Sequence, residues 1–309
     1  MKKILSIIMA LGLVFILPGC KNKQSEECVF VTSFYPIYII MMNLTEGAEG
    51  VELVNMAQNQ TGCLHDFQLQ SDDMKKIEQS TAFIINGAGM ESFMNKVIEE
   101  APNINVIDSS EGIELIEDDD HHDHDHDDTD HEDHEDHEHG EKNAHIWVSI
   151  TNYIKQVENI TKGIEAADPS HAELYRANSK KYIEKLNSLK TEMHEELDNV
   201  KNKDIITFHE AFPYFAKEFG LNILAVINRE PNSEPSVKEL ADTVELIRST
   251  GTNCLFVEPQ YPDTAAQTIS KETGAKIYTL DPAVSGKAEK DSYINVMKEN
   301  MKVLKEALS

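Results

Sequence analysis

Residues 168–199 read DPSHAELYRANSKKYIEKLNSLKTEMHEELDN, and the way this stretch folds decides how the rest of the chain is arranged. Asp168 followed by Pro169 has the form of a helix N-cap with proline in the first turn, where no N–H partner is needed. Apolar residues then recur at Ile183, Leu186, Leu189, Met193 and Leu197, the spacing of one helical face. One helix over 169–199 would be about 46 Å long at roughly 1.5 Å per residue. It could run across two domains and, being stiff, would restrict them to small tilts. The alternative is two shorter helices broken near Asn178-Ser179.

On both sides of this stretch, short apolar runs alternate with helical segments. Upstream the runs are Cys28–Phe34, Val51–Met56, Ala82–Ile85 and Ile104–Ile107, with a helix from Pro36 and a capping-type start at Ser71-Asp72-Asp73. Downstream they are Ile205–Phe208, Ile223–Ile227, Leu255–Val257 and Lys276–Leu280. Continuous apolar strands separated by helices indicate parallel sheets covered on both faces. The expected fold class is therefore α/β. It comprises an N-terminal lobe (28–148), a helical connector (149–202) and a C-terminal lobe (203–309), with no close sequence repeat between the lobes.

The chain opens on an address. Lys2 and Lys3 precede an apolar run from Ile4 to Leu17, followed by Pro18-Gly19-Cys20. The run is shorter than the ~20 residues of a membrane span, so residues 1–19 read as a signal peptide. Leu-x-Gly-Cys resembles a bacterial lipobox, which makes Cys20 the expected lipidation site and residues 20–27 a polar tether. The expected place is outside the cytoplasmic membrane, anchored to it. Cys28, Cys63 and Cys254 remain; an odd number gives no disulfide framework, and one bridge is allowed but not required.

Between Glu117 and Glu141, 15 of 25 residues are acidic and none is basic. Histidines are interleaved at His121, His122, His124, His126, His131, His134, His137 and His139. With almost no apolar surface to bury, the tract is expected to be a disordered loop. Imidazole and carboxylate together suit divalent transition metals, which makes these eight histidines candidate weak, auxiliary metal sites. The plain alternative is a solvated acidic loop. The formal charge of −27 argues against nucleic acid and for cations as partners. About 265 residues remain outside the tract and the signal, enough for two ordinary domains.

Five histidines lie elsewhere. His171 and His194 fall among charged residues of the long helical stretch and read as solvated. His209 directly follows the run Ile205–Phe208, Glu258 follows Val257, and Asp281 follows Leu280. In open α/β sheets ligands bind beyond the carboxyl ends of strands, so these three sit where a site is expected. His65 lies beyond the second strand, and His145 precedes Ile146-Trp147-Val148 at the end of the first lobe. Together they would face one interlobe cleft.

Several segments in order then carry a resemblance: Leu64-His65-Asp66-Phe67, Ile85-Asn86-Gly87-Ala88-Gly89-Met90-Glu91, Ala144-His145-Ile146-Trp147, Thr207-Phe208-His209-Glu210-Ala211-Phe212-Pro213, Phe256-Val257-Glu258-Pro259-Gln260 and Leu280-Asp281-Pro282. Residues 28–309 resemble the zinc-type TroA-like substrate-binding lipoproteins of ABC metal-uptake systems. The resemblance implies two (β/α) lobes joined by a long backbone helix with the metal between them. It implies His65, His145, His209 and Asp281 as ligands of a transported Zn2+, an ABC permease as partner, a monomer, and no enzymatic activity. Three imidazoles and one carboxylate suit four-coordinate zinc better than manganese.

Some features depart from that pattern. The Asp-Pro usual before the first two histidines is Cys63-Leu64 and Asn143-Ala144 here, which bears on loop shape and on hydrogen bonds behind the ligands. Glu258 is a further candidate, either behind the ligands or as an alternative ligand. Cys63 is a candidate soft ligand or a plain thiol, and Trp147 reads as packing behind the cleft. Rival functions are manganese or broad divalent-metal binding, a surface adhesin or metal buffer, and a hydrolytic zinc centre. Asp281 argues against the last, because it would close the position that water needs.

Overall fold

The computed structural model describes residues 28–58, 62, 64, 67–117, 142–227 and 235–309. The signal segment, Cys20, Cys63, His65 and the eight histidines of the tract lie outside the described residues, so the expectations about them are not addressed by it.

The first lobe is built from β1 (Cys28–Thr32), α1 (Tyr35–Leu44), β2 (Val51–Asn55), α2 (Ser71–Gln79), β3 (Ala82–Ile85), α3 (Met94–Glu100) and β4 (Val106–Asp108). Then come α4 (Ile150–Ala167) and α5 (Ala172–Leu197). The second lobe follows with β5 (Asp204–Thr207), α6 (Pro213–Phe219), β6 (Asn222–Val226), α7 (Val237–Thr250), β7 (Cys254–Val257), α8 (Thr264–Thr273), β8 (Lys276–Thr279) and α9 (Ser292–Leu308). The sheet orders are β2-β1-β3-β4 and β6-β5-β7-β8, and every pairing is parallel. The two lobes thus share one plan, with the strand order reversing beside β1 and again beside β5. That reversal is where a parallel sheet leaves a crevice for a ligand.

The central stretch forms one helix. A 3-10 turn at Pro169–His171, capped by the Asp168 side chain on the Ser170 N–H, precedes α5. This shortens the helix to 26 residues, about 39 Å. No break occurs at Asn178-Ser179, because both side chains find partners without disturbing the helix. Asn178 Nδ2 donates to the Leu44 and Glu46 carbonyls, and Ser179 Oγ accepts from Thr161. The buried face of α5 (Tyr175, Tyr182, Leu186, Leu189, Met193, Leu197) packs on α4, α1 and α9. Helix α1 (YPIYIIMMNL) is apolar nearly all round and is accordingly buried. At α2 the cap is Gln70 rather than Ser71: Asp73 Oδ2 accepts the Gln70 N–H at 3.1 Å.

One apolar cluster runs from Phe30 in the first lobe through α5 to Leu308 in the second, and a smaller one lies under α7 and α8. Further bonds tie the lobes together. Tyr35 donates to the Lys287 carbonyl at 2.6 Å and Asn43 to the Lys290 carbonyl at 2.9 Å. Among the described residues no helix is long and apolar enough to cross a membrane.

Candidate metal centre

His145 leaves the first lobe just before the turn Ile146–Val148, and His209 follows β5 at the reversal point of the second sheet. Their Nε2 atoms lie 3.1 Å apart, and both residues are buried. His145 also packs against Trp147, with ring centroids 5.2 Å apart. Trp147 Nε1 donates to the Pro282 carbonyl at 2.7 Å, which fastens the residue after Asp281 to the loop that carries His145.

Asn143 closes the near side. Its Oδ1 accepts the His145 N–H at 3.0 Å and lies 3.2 Å from His145 Nδ1. Its Nδ2 donates to the Glu210 carbonyl at 2.9 Å. Its backbone N–H donates to the Ile116 carbonyl, and its own carbonyl accepts the Tyr214 hydroxyl at 2.7 Å. Tyr214 in turn accepts the Ile116 N–H at 3.0 Å. Glu117, the first residue of the acidic tract, and Lys142, the residue after its end, form an antiparallel bridge and an ion pair. The tract therefore springs from a closed stem only three residues from His145.

Behind His145, Asn86 Nδ2 donates to the Ala144 carbonyl at 3.0 Å. Glu91 holds the Asn86-Gly87 turn by accepting both N–H groups, at 2.7 and 3.0 Å. Position 87 has φ +78°, and a Cβ there would lie 1.9 Å from Asp108 Oδ1, so only glycine fits.

The carboxylates stand at the ends of neighbouring strands. Glu258, just past β7, is 3% exposed, and among the described residues neither of its side-chain oxygens has a hydrogen-bond partner. Burial, then the nearby Asp281, holds its pKa well above the usual carboxylate range. Asp281 is also pushed up by burial, against the pull of the Ala283 N–H and Gln260. The Ala283 N–H donates to Asp281 Oδ1 at 2.8 Å, and Gln260 Nε2 lies 3.4 Å from the same oxygen. This turn holds Ala283 at φ +60°, a conformation uncommon for a residue other than glycine. Asn300 of α9 fixes the Asp281 backbone at both its N–H (2.9 Å) and its carbonyl (2.7 Å).

Among the described residues no three His, Cys, Asp or Glu side chains stand close enough to hold a metal ion. The group they bring together is the pair His145–His209. A divalent cation nevertheless suits the surroundings, since a buried carboxyl with neither oxygen partnered among the described residues needs a positive or proton-bearing neighbour. Gly62 lies near the same place: a Cβ on it would stand 2.8 Å from the Tyr261 hydroxyl, and the Tyr261 ring lies 5.9 Å from that of His209. His171 and His194 lie apart from the pair, beside Asp168 and Asp198. Asn86, Gln260 and Asn300 support the site, yet no spacing in the sequence marks them for that role.

A family profile described as "ZnuA: Zinc-uptake complex component A periplasmic" matches residues 30–307. The zinc-binding lipoprotein AdcA of Streptococcus pneumoniae (strain ATCC BAA-255 / R6) is 30% identical over 318 residues, covering 99% of this chain and 61% of that protein. The high-affinity zinc uptake system protein ZnuA of Bacillus subtilis (strain 168) is 30% identical over 296 residues, covering 94% of this chain and 90% of that protein. The chain thus spans 61% of the length of the streptococcal AdcA proteins it matches. The crystal structure of the Zn(II)-bound ZnuA-like domain of S. pneumoniae AdcA superimposes with a TM-score of 0.75 at 27% identity, covering 91% of this chain and 99% of that one.

Proposed function

The chain belongs to the ZnuA family of zinc-uptake components, and from that premise we propose that it captures Zn2+ outside the cytoplasmic membrane and delivers it to an ABC permease. The observation that carries this reading is the facing of His145 Nε2 and His209 Nε2 at 3.1 Å. Two nitrogens each about 2.05 Å from a tetrahedral zinc would stand about 3.3 Å apart. The pair therefore sits within a few tenths of an ångström of the spacing zinc requires. His65 supplies the third imidazole and Asp281 the carboxylate, with Glu258 behind them or as an alternative ligand.

Three nitrogens and one oxygen favour zinc over manganese, and a fourth protein ligand leaves no water to activate, so the protein binds and releases rather than catalyses. In this reading residues 1–19 direct export, Cys20 carries the lipid, and the protein acts as a monomer. The lobes are 28–148 and 203–309, with 149–202 between them. The histidines of the 117–141 tract hold further zinc weakly.

The deciding experiment is metal analysis of the full chain purified without added zinc, with chelator competition for zinc and for manganese. One tightly held zinc per chain is expected, with manganese bound far more weakly. Equal affinity for the two metals, or no tight site, would overturn the reading.

A further inference from the structure

The orientation of a side-chain amide is normally inferred from its neighbours, and at Asn143 those neighbours are backbone groups of fixed polarity. Oδ1 accepts the His145 N–H at 3.0 Å, and Nδ2 donates to the Glu210 carbonyl at 2.9 Å. A flip would set an NH2 against an N–H and an oxygen against an oxygen, so one orientation alone is allowed. Oδ1 also lies 3.2 Å from His145 Nδ1. An amide oxygen only accepts, so Nδ1 must carry the proton. In the neutral ring Nε2 then holds the lone pair, and Nε2 is the atom that faces His209.

We propose that Asn143 is a positioning residue for the metal: its carboxamide locks His145 in the Nδ1–H tautomer with the Nε2 lone pair toward His209, and its bond to the Glu210 carbonyl keeps the histidines of the two lobes in register. Glu210 is the residue after His209, so one carboxamide touches the backbone beside both ligands. Aspartate in this place would serve His145 equally well, but it would turn a carboxylate oxygen toward the Glu210 carbonyl and lose the cross-lobe bond. The side chain therefore does two separable things, acceptor to one histidine and donor to the other's neighbour.

The inference rests on the zinc-site reading, but its first test needs no zinc. In the metal-free full chain with 15N-labelled histidine, two-bond nitrogen–proton correlation reports which ring nitrogen is protonated. His145 is identified by its absence from the His145→Ala spectrum, and the measurement is made at a pH where the rings are neutral. The expected pattern is a protonated Nδ1 and a bare Nε2; a proton on Nε2 overturns the proposal whether or not zinc binds. Asn143→Ala should mix the tautomers and weaken zinc binding about ten- to a hundredfold, the range for partners behind metal ligands. Asn143→Asp should restore the Nδ1–H signature. An unmixed tautomer in Asn143→Ala would overturn the assignment. If that variant does not fold, the wild-type and Asn143→Asp spectra decide. Absence of tight zinc binding in the wild type would instead refute the functional reading and leave the tautomer result standing.

Discussion

Trp147 Nε1 donates to the Pro282 carbonyl at 2.7 Å, joining the segment two residues past His145 to the residue after Asp281. The bond is buried, and the Tyr293 hydroxyl donates to the Trp147 carbonyl from the second lobe at 2.8 Å. The lobes are thus fastened immediately behind the candidate ligands. Trp147→Phe removes the donor, leaves a buried carbonyl unpaired and opens space in the core. The expected loss is roughly 2–4 kcal/mol of unfolding free energy, with weaker zinc binding because Asp281 and His145 lose their common support. Urea unfolding and chelator competition on one preparation check both; wild-type stability would show that the bond is dispensable.

At the site itself, His145→Ala or His209→Ala leaves one imidazole of the facing pair. Each variant is expected to keep its fold and lose zinc affinity by more than about a hundredfold, beyond the range for partners behind the ligands. Competition against a chelator of known affinity measures it. Wild-type affinity in both variants would place the metal elsewhere.

The strands could be read from sequence to within about two residues because apolar runs in parallel sheets are nearly continuous. Their order was not legible, since β2-β1-β3-β4 depends on crossovers rather than on composition. The suspected break at Asn178-Ser179 did not materialise, because the polar side chains that suggested it are satisfied by Leu44, Glu46 and Thr161, which are distant in sequence. The strand-end rule and the family resemblance singled out His209, Glu258 and Asp281, and the structure sets all three just past the ends of β5, β7 and β8. The orientation of Asn143 was beyond reach, because it is set by a carbonyl 67 residues away.

Removal of residues 118–141 separates the tract from the cleft. The bridge between Glu117 and Lys142 means that a short turn can replace the tract without moving Asn143 or His145. Any zinc held by the tract, as proposed, would bear an ordering cost that the tract's composition, almost without apolar side chains, does little to offset, and neighbouring carboxylates favour the protonated imidazole. His145, His209 and Asp281, the candidate ligands among the described residues, stand on folded lobes. Calorimetry of the deletion variant is expected to lose the weak sites and keep one tight site. Loss of the tight site as well would mean that the tract supplies a ligand.

Glu91 gives the metal-free protein a pH dependence of its own. Burial raises its pKa from 4.5 to about 7, against the pull of hydrogen bonds that include the Asn86 and Gly87 N–H groups. Because the folded value exceeds the unfolded one, the folded state holds this proton more tightly. The contribution is complete below about pH 4.5 and is lost as pH rises through 7, a change on the order of 3 kcal/mol. Glu91→Gln imitates the neutral form and should flatten this part of the profile. Denaturant unfolding of both proteins from pH 5 to 8 is the measurement, and identical slopes would exclude the assignment.

The two carboxylates differ in what surrounds them. Asp281 keeps the Ala283 N–H at 2.8 Å and Gln260 Nε2 at 3.4 Å, whereas both oxygens of Glu258 are buried and have no hydrogen-bond partner among the described residues. Two buried carboxyls that feel each other's charge do not both ionise readily; the one with hydrogen-bond donors keeps the charge more easily. Burial and the charge of Asp281 both push Glu258 toward its neutral form, and the hydrogen bonds of Asp281 favour its anion, which makes Asp281 the expected ligand. Asp281→Asn should therefore weaken zinc binding by more than about a hundredfold, and Glu258→Gln by no more than about tenfold, the lower end of the range for groups behind the ligands. Chelator competition on the two variants at one pH gives the order directly. If Glu258→Gln proves the more damaging, Glu258 is the ligand and Asp281 the residue that supports it.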